Sequence, residues 1–325
     1  MKNYYDPLKV FAILLVVTGH ITILYDGQSF GLEENRMLSI FCSAIYLFHM
    51  PLFIALSGAI YQIGVEKGKY YEFIPFLKNK LQRIGIPFLA VGGLFLAPTL
   101  VWLGMSNKGG GILQTEMNVL GCMGEERHLW YLPALFWIFM ITWSLNKANI
   151  NTYILFVLSV LVALCYSLFI DFNFMCISNS IHYLPYFLFG MLIERNKDKV
   201  DCKMFVVSLV FIGLIGGVIK VTSIGWLDNV MAILFPCTFI GILLPIAKKT
   251  LPWVKNSKLI LMILNQSFAI YLFHVMIIYI VFTFKVNSLP AAIMVPLAFL
   301  VSIVGSILIA YILRKLHLQG IIGEK

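Results

Sequence analysis

The chain has 325 residues, of which 60% are hydrophobic and only 12% charged, and its mean hydropathy is +0.91. Those proportions exclude an ordinary water-soluble globule and predict an all-α integral membrane protein. The formal charge of +9 does not indicate nucleic acid, because Lys and Arg sit in short loops between apolar spans rather than on one basic face.

A bilayer core takes about 20 residues to cross. The apolar runs predict ten transmembrane helices, over 8–25, 37–62, 84–105, 129–146, 152–170, 181–194, 204–220, 229–247, 267–284 and 291–313. The first contains Lys9 and His20 and is followed by no small-residue cleavage site, so it reads as a retained helix rather than a signal peptide. Ten crossings put both termini on one side. That side, with the 63–83, 195–203 and 248–266 loops, holds 19 of the 24 Lys and Arg residues. The asymmetry predicts cytoplasmic termini. A single transmembrane domain over 1–325, without a soluble domain, is expected. The six scattered cysteines form no C-x-x-C pair and read as small apolar packers; a Cys122–Cys176 disulfide between outer loops is the alternative.

In VFAILLVVTGHITILY, residues 10–25, His20 lies inside hydrocarbon, where an imidazole needs a partner or a water-filled cavity. Lys9 precedes it on the same helix face, about 16 Å away at 1.5 Å per residue. The pairing favours a functional His20, since imidazole exchanges a proton near neutral pH. His49, in YLFHMPLFIALSG, falls near the middle of the second span, with Pro51 predicted to kink the helix beside it. His274, in SFAIYLFHVMII, lies on the cytoplasmic half of the ninth span by the same boundaries. For these two, a structural interhelix hydrogen bond and a share in one polar cavity both stand.

The loop GCMGEERHLWYLPALF sets Glu125, Glu126, Arg127 and His128 before Trp130 and Tyr131. Carboxylates for hydroxyls and a ring for stacking suit a sugar, although an aromatic belt alone would explain Trp130 and Tyr131. His182, in IHYLPYFLFGM, reads as part of such a belt. FLKNKLQRIGIPF places Lys78, Lys80 and Arg83 at a cytoplasmic helix entry, a topology signal that is also where the phosphates of a cytosolic donor would be held.

The opening YYDPLKVFAILLVVTGH resembles the first helix of the membrane-bound acyltransferase 3 family, in its fucose 4-O-acetylase-like branch. That signature has an Asp, an Arg three residues on, and a His after ten more; here the positions are Asp6, Lys9 and His20, with Lys for Arg. The match continues through LFHMPLFIALSG, KNKLQRIGIPF, HLWYLPALF and AIYLFH, in order along nearly the whole chain. The resemblance implies an O-acyltransferase of the bacterial cytoplasmic membrane. It would move an acyl group, usually acetyl from cytosolic acetyl-CoA, to a hydroxyl of a cell-envelope glycan or lipid-linked sugar. His20 is implied as the essential base or acyl relay, and no metal is required. Lys9, Lys80 and Arg83 become candidates for the CoA phosphates, Asp6 for pairing Lys9, and His49 for stabilising the intermediate. Glu126, His128, Trp130 and His274 become candidates for the acceptor. The Lys at position 9 offers a point charge where Arg offers a planar fork.

Two other classes compete. A polar face through ten helices also suits a glycan exporter, which His20→Ala would leave working. A haem or metal site through His20, His49 and His274 has no H-x-x-x-H pair and no nearby Cys or acidic ligand behind it.

Overall fold

The computed structural model describes residues 4–27, 29–105, 111–123, 128–169, 174–199, 203, 205–210, 225–285 and 289–324. Among the described residues it is helical throughout, with no strand. Helix α1 (Asp6–Thr22) starts with Pro in its first turn and an acidic residue, Asp6, at its positive end, and continues as a tighter turn through Tyr25. Ile13, Val17 and Ile21 are fully buried, because α1 runs through the middle of the bundle.

The second expected span is two helices, α2 (Arg36–Tyr46) and α3 (His49–Glu66). Pro51 lies in the first turn of α3 and supplies no amide to the end of α2, so the ladder breaks at Leu47 and Phe48. His49 spans the break: its Nδ1 donates to the Ile45 carbonyl at 2.8 Å.

Helix α4 (Phe73–Trp102) begins ahead of the expected residue 84. It contains two wide π turns, Leu81–Gly85 and Gly92–Leu96, each just before a proline (Pro87, Pro98) that leaves a carbonyl without its amide. The expected outer loop that follows contains a helix, α5 (Gly111–Gly121). Next come α6 (Tyr131–Lys147), α7 (Thr152–Phe169) and α8 (Ile177–Arg195).

Helices α9 (Gly225–Asn256) and α10 (Lys258–Lys285) correct the expected 248–266 loop, since only Ser257 separates them. The two arms of α9, Val230–Leu243 and Ile246–Asn256, meet at 55° where Pro245 interrupts the ladder. The early start of α10 puts His274 beyond its midpoint, not on its first half. Helix α11 (Ala291–Lys315) closes the bundle, with Leu300, Val304 and Leu308 forming an exposed apolar stripe at four-residue spacing.

Five helical stretches are long and apolar enough to cross a bilayer: Asp6–Tyr25, Arg36–Glu66, Phe73–Trp102, Lys258–Phe284 and Ala291–Lys315. The bent α9 makes six if counted as one. Other expected crossings correspond to α6, α7 and α8, while most of 204–220 lies outside the described residues.

Two features hold the inner frame. Helices α3 and α8 meet backbone to backbone: a Cβ on Gly58 would lie 2.0 Å from the Phe187 carbonyl oxygen, and one on Gly190 would lie 1.9 Å from that of Ala55. At the end of α8, buried Glu194 accepts from the Tyr5 hydroxyl at 2.7 Å, from Tyr4, and from Lys197 at 2.9 Å. Burial and this carboxylate both hold the Tyr4 hydroxyl above its ordinary pKa. Cys122 and Cys176 are buried, and no disulfide joins them.

Candidate active site

Three histidines far apart in sequence meet. The His20 ring lies 5.1 Å from that of His274 on α10 and 6.1 Å from that of His128, in the turn leading into α6. Tyr46, at the end of α2, stands 6.5 Å from His20 and 4.8 Å from His49, so His49 joins the group through a tyrosine. Gly19 allows this approach, since a Cβ there would already be 3.2 Å from the Tyr46 ring.

Backbone carbonyls set two of the tautomers. His274 Nδ1 donates to the carbonyls of Ile270 and Tyr271, both at 2.8 Å, as His49 Nδ1 does to Ile45. With the proton on Nδ1, Nε2 carries the lone pair. His274 Nε2 is buried and has no hydrogen-bond partner among the described residues, and the same holds for the Tyr271 hydroxyl one turn earlier. Buried polar atoms are nearly always paired, so these two orphans on one helical turn, with the His274 ring beside His20, make this a candidate site for chemistry or a ligand. His128 is anchored differently, with Nε2 2.9 Å from the Tyr279 hydroxyl.

Such a group can move a proton. The His274 lone pair lies on a ring 5.1 Å from that of His20; an N–H accepted from a neighbouring imidazole would leave the other nitrogen of that imidazole as a base. Beside Tyr46, between α1 and α2, a cavity of 290 Å³ is lined by Thr22, Ile23, Asp26, Ser39, Cys42 and Ser43. Among the described residues, no three His, Cys, Asp or Glu side chains are placed to hold a metal ion.

The remaining candidates lie elsewhere. Asp6 and Lys9 pair with each other at 3.2 Å at the far end of α1, away from the imidazoles. Lys80 is buried with Nζ 3.3 Å over the Phe139 ring, whereas Arg83, within the first π turn, is exposed. Trp130 packs on Tyr183 at 5.0 Å, within an aromatic group that also takes in His182. Glu126 lies outside the described residues. Sequence reasoning missed Tyr46 and Tyr279. Their one signal is a hydroxyl within an apolar run, which membrane-interface tyrosines share.

A family model described as an acyltransferase domain matches residues 2–315. Among curated proteins, the chain is similar to the nodulation protein NolL of Sinorhizobium fredii (strain NBRC 101917 / NGR234), at 26% identity over 162 residues. The aligned part is 49% of this chain and 41% of NolL, so less than half of that relative is matched. No solved structure matches the chain. With the family match running from the first helix to the end of the last, the chain belongs to the acyltransferase 3 family.

Proposed function

We propose that this protein is a membrane O-acyltransferase, in which His20 moves the proton while an acyl group passes from cytosolic acyl-CoA to a hydroxyl of a cell-envelope glycan or glycolipid. Acetyl is the acyl group favoured by the resemblance. The observation that carries the reading is the meeting of His20, His128 and His274, with the His274 Nε2 lone pair unclaimed beside His20.

In the direct route, His20 takes the proton of the acceptor hydroxyl as its oxygen attacks the thioester carbonyl. The C–S bond then breaks, and the leaving thiolate takes the proton back. In the relay route, a His20 nitrogen attacks first, the thiolate leaves protonated, and the acyl-imidazole passes its acyl group to the acceptor, whose proton returns to the ring. The acceptor reaches His20 through the cavity beside Tyr46, where a carboxylate and hydroxyls suit a sugar. His128, held by Tyr279, stands beside His20, and Lys9 adds positive charge where the donor enters.

This reading places the protein in the bacterial cytoplasmic membrane, with ten crossings and both termini in the cytoplasm, in line with the distribution of Lys and Arg. Sealed vesicles of both orientations test it. Acetyl-CoA added outside should be consumed by inside-out vesicles and spared by right-side-out ones. Consumption only by right-side-out vesicles would overturn the donor side.

A further inference from the structure

The ends of α3 and α6 and the turn leading into α4 enclose a cavity of 420 Å³, away from the histidines. Its walls are largely aromatic, with Tyr61, Tyr70, Tyr71 and Trp143, and include Asn146 and Lys147. These rings are held in place. Tyr61 and Tyr70 stack at 5.0 Å with 7° between their planes. Trp143 Nε1 donates to the Tyr70 carbonyl at 2.9 Å, and Asn146 Nδ2 donates to the Tyr61 hydroxyl at 3.3 Å. Gly64 admits the Tyr70 ring, because a Cβ at that position would lie 2.3 Å from it.

Cations surround these rings. Lys147 Nζ sits 4.0 Å over Tyr71, and the buried Lys80 Nζ is 5.4 Å from the centre of Tyr70. Burial raises the Tyr70 hydroxyl pKa, and the nearby Arg83 guanidinium acts against that rise. Among the described residues none of Lys80, Arg83 and Lys147 is in an ion pair, and no acid lines the cavity. A buried ammonium held only over ring faces is incompletely compensated, and an arriving anion would improve it. Flat aromatic walls among unpaired cations are the surroundings that recognise a planar heterocycle carrying phosphates.

Polar side chains are spaced between this cavity and the histidines. Ser57 lies one turn from Tyr61 on α3, and its hydroxyl is 3.0 Å from that of Tyr131. The Tyr131 ring lies 5.4 Å from that of Tyr271, whose buried hydroxyl has no partner among the described residues. Tyr271 in turn lies 6.2 Å from His274, ring to ring. Along α3, Tyr61 and His49 are about 18 Å apart at 1.5 Å per residue. A ligand touching both ends needs a nucleotide head and a long polar arm ending in the reactive group.

We infer that this aromatic cavity seats the nucleotide head of the acyl donor, with the arm following Ser57, Tyr131 and Tyr271 to the histidines. The assignment rests on the acyl-transfer reading above and adds Tyr70, Trp143 and Lys147 to the donor site.

The test compares acetyl-CoA with S-acetyl-pantetheine, which lacks the nucleotide, on the full chain in nanodiscs. Trp143→Ala and Lys147→Glu should each raise KM for acetyl-CoA by about tenfold or more, the scale of one lost stacking or charge contact. The kcat, and the KM for S-acetyl-pantetheine, should stay within about twofold. Adenosine 3′,5′-bisphosphate should compete with acetyl-CoA in the wild type and weakly in the variants. Lys147 is exposed, so its variant keeps the test valid if Trp143→Ala fails to fold. Wild-type turnover with unchanged KM in Lys147→Glu and in any folded Trp143→Ala would overturn the cavity assignment and leave acyl transfer standing. A wild type that turns over neither donor and binds no adenosine bisphosphate would remove both.

Discussion

His20 and His274 bring their rings to 5.1 Å across the α1–α10 interface, and Nε2 of His274, beside His20, has no partner among the described residues. The carbonyls of Ile270 and Tyr271 hold the His274 proton on Nδ1, so the lone pair is fixed at Nε2. On the acyl-transfer reading His274 would position His20, an arrangement that its sequence context does not reveal.

Replacing His274 with Phe keeps the bulk and removes the lone pair. The expected result is a fall in kcat of roughly 10²–10⁴-fold, the usual range for disabled acid–base catalysis. KM for the donor should change little, and His274→Gln, which retains an acceptor, should recover part of the rate. Steady-state kinetics on folded protein check this; a kcat within about threefold of wild type would make His274 a packing residue.

Tyr279→Phe removes only the hydroxyl 2.9 Å from His128 Nε2. One neutral hydrogen bond contributes about 0.5–1.5 kcal/mol, so activity should fall by up to about tenfold with the melting temperature nearly unchanged. A complete loss of activity would mean that Tyr279 itself touches the substrate.

Lys9 is paired with Asp6 at the opposite end of α1 from His20. If its charge serves the entering donor, Lys9→Ala should raise KM for acetyl-CoA while kcat holds, and Lys9→Arg should stay close to wild type. Equal losses in both variants would exclude simple anion attraction and indicate a role that depends on the shape of lysine.

The glycine contact between α3 and α8 predicts a stability effect without chemistry. Gly190→Ala drives a methyl group into the Ala55 carbonyl and should cost about 1–3 kcal/mol, as overpacking usually does. Gly93, where a Cβ would meet nothing within 4 Å, should accept Ala with little change. Thermal melts in one detergent compare the two variants, and equal behaviour would contradict the close α3–α8 contact.

Apolar run length made α1 and α11 legible to within a few residues, because a hydrocarbon core tolerates few alternatives to a helix. The same reasoning failed at 248–266, where Lys248, Lys249, Lys255 and Lys258 looked like a loop; charge fixes the side of the membrane, not the backbone conformation. Pro51 signalled a disturbance near His49, yet the outcome was a full break with His49 bridging it. Away from the histidines, the Asp6–Lys9 pair follows from three-residue spacing on one helix. The convergence of His20, His128 and His274 does not, since it depends on how α1 and α10 pack and on where the turn before α6 falls. Lys80 and Arg83 look equivalent in sequence, but Lys80 ends a regular helical stretch and points inward, whereas Arg83 lies within the π turn and is exposed.

The most direct test of the central claim follows the acyl group itself. Purified wild-type and His20→Ala proteins in nanodiscs are given acetyl-CoA labelled in the acetyl group, together with glycans or glycolipids from the host envelope. Label should reach the acceptor, with CoA thiol released, in the wild type and not in a folded His20→Ala protein. Transfer at wild-type rate by His20→Ala would contradict the assignment of His20. Folded wild type that neither binds acetyl-CoA nor releases thiol would contradict acyl transfer itself and favour glycan export.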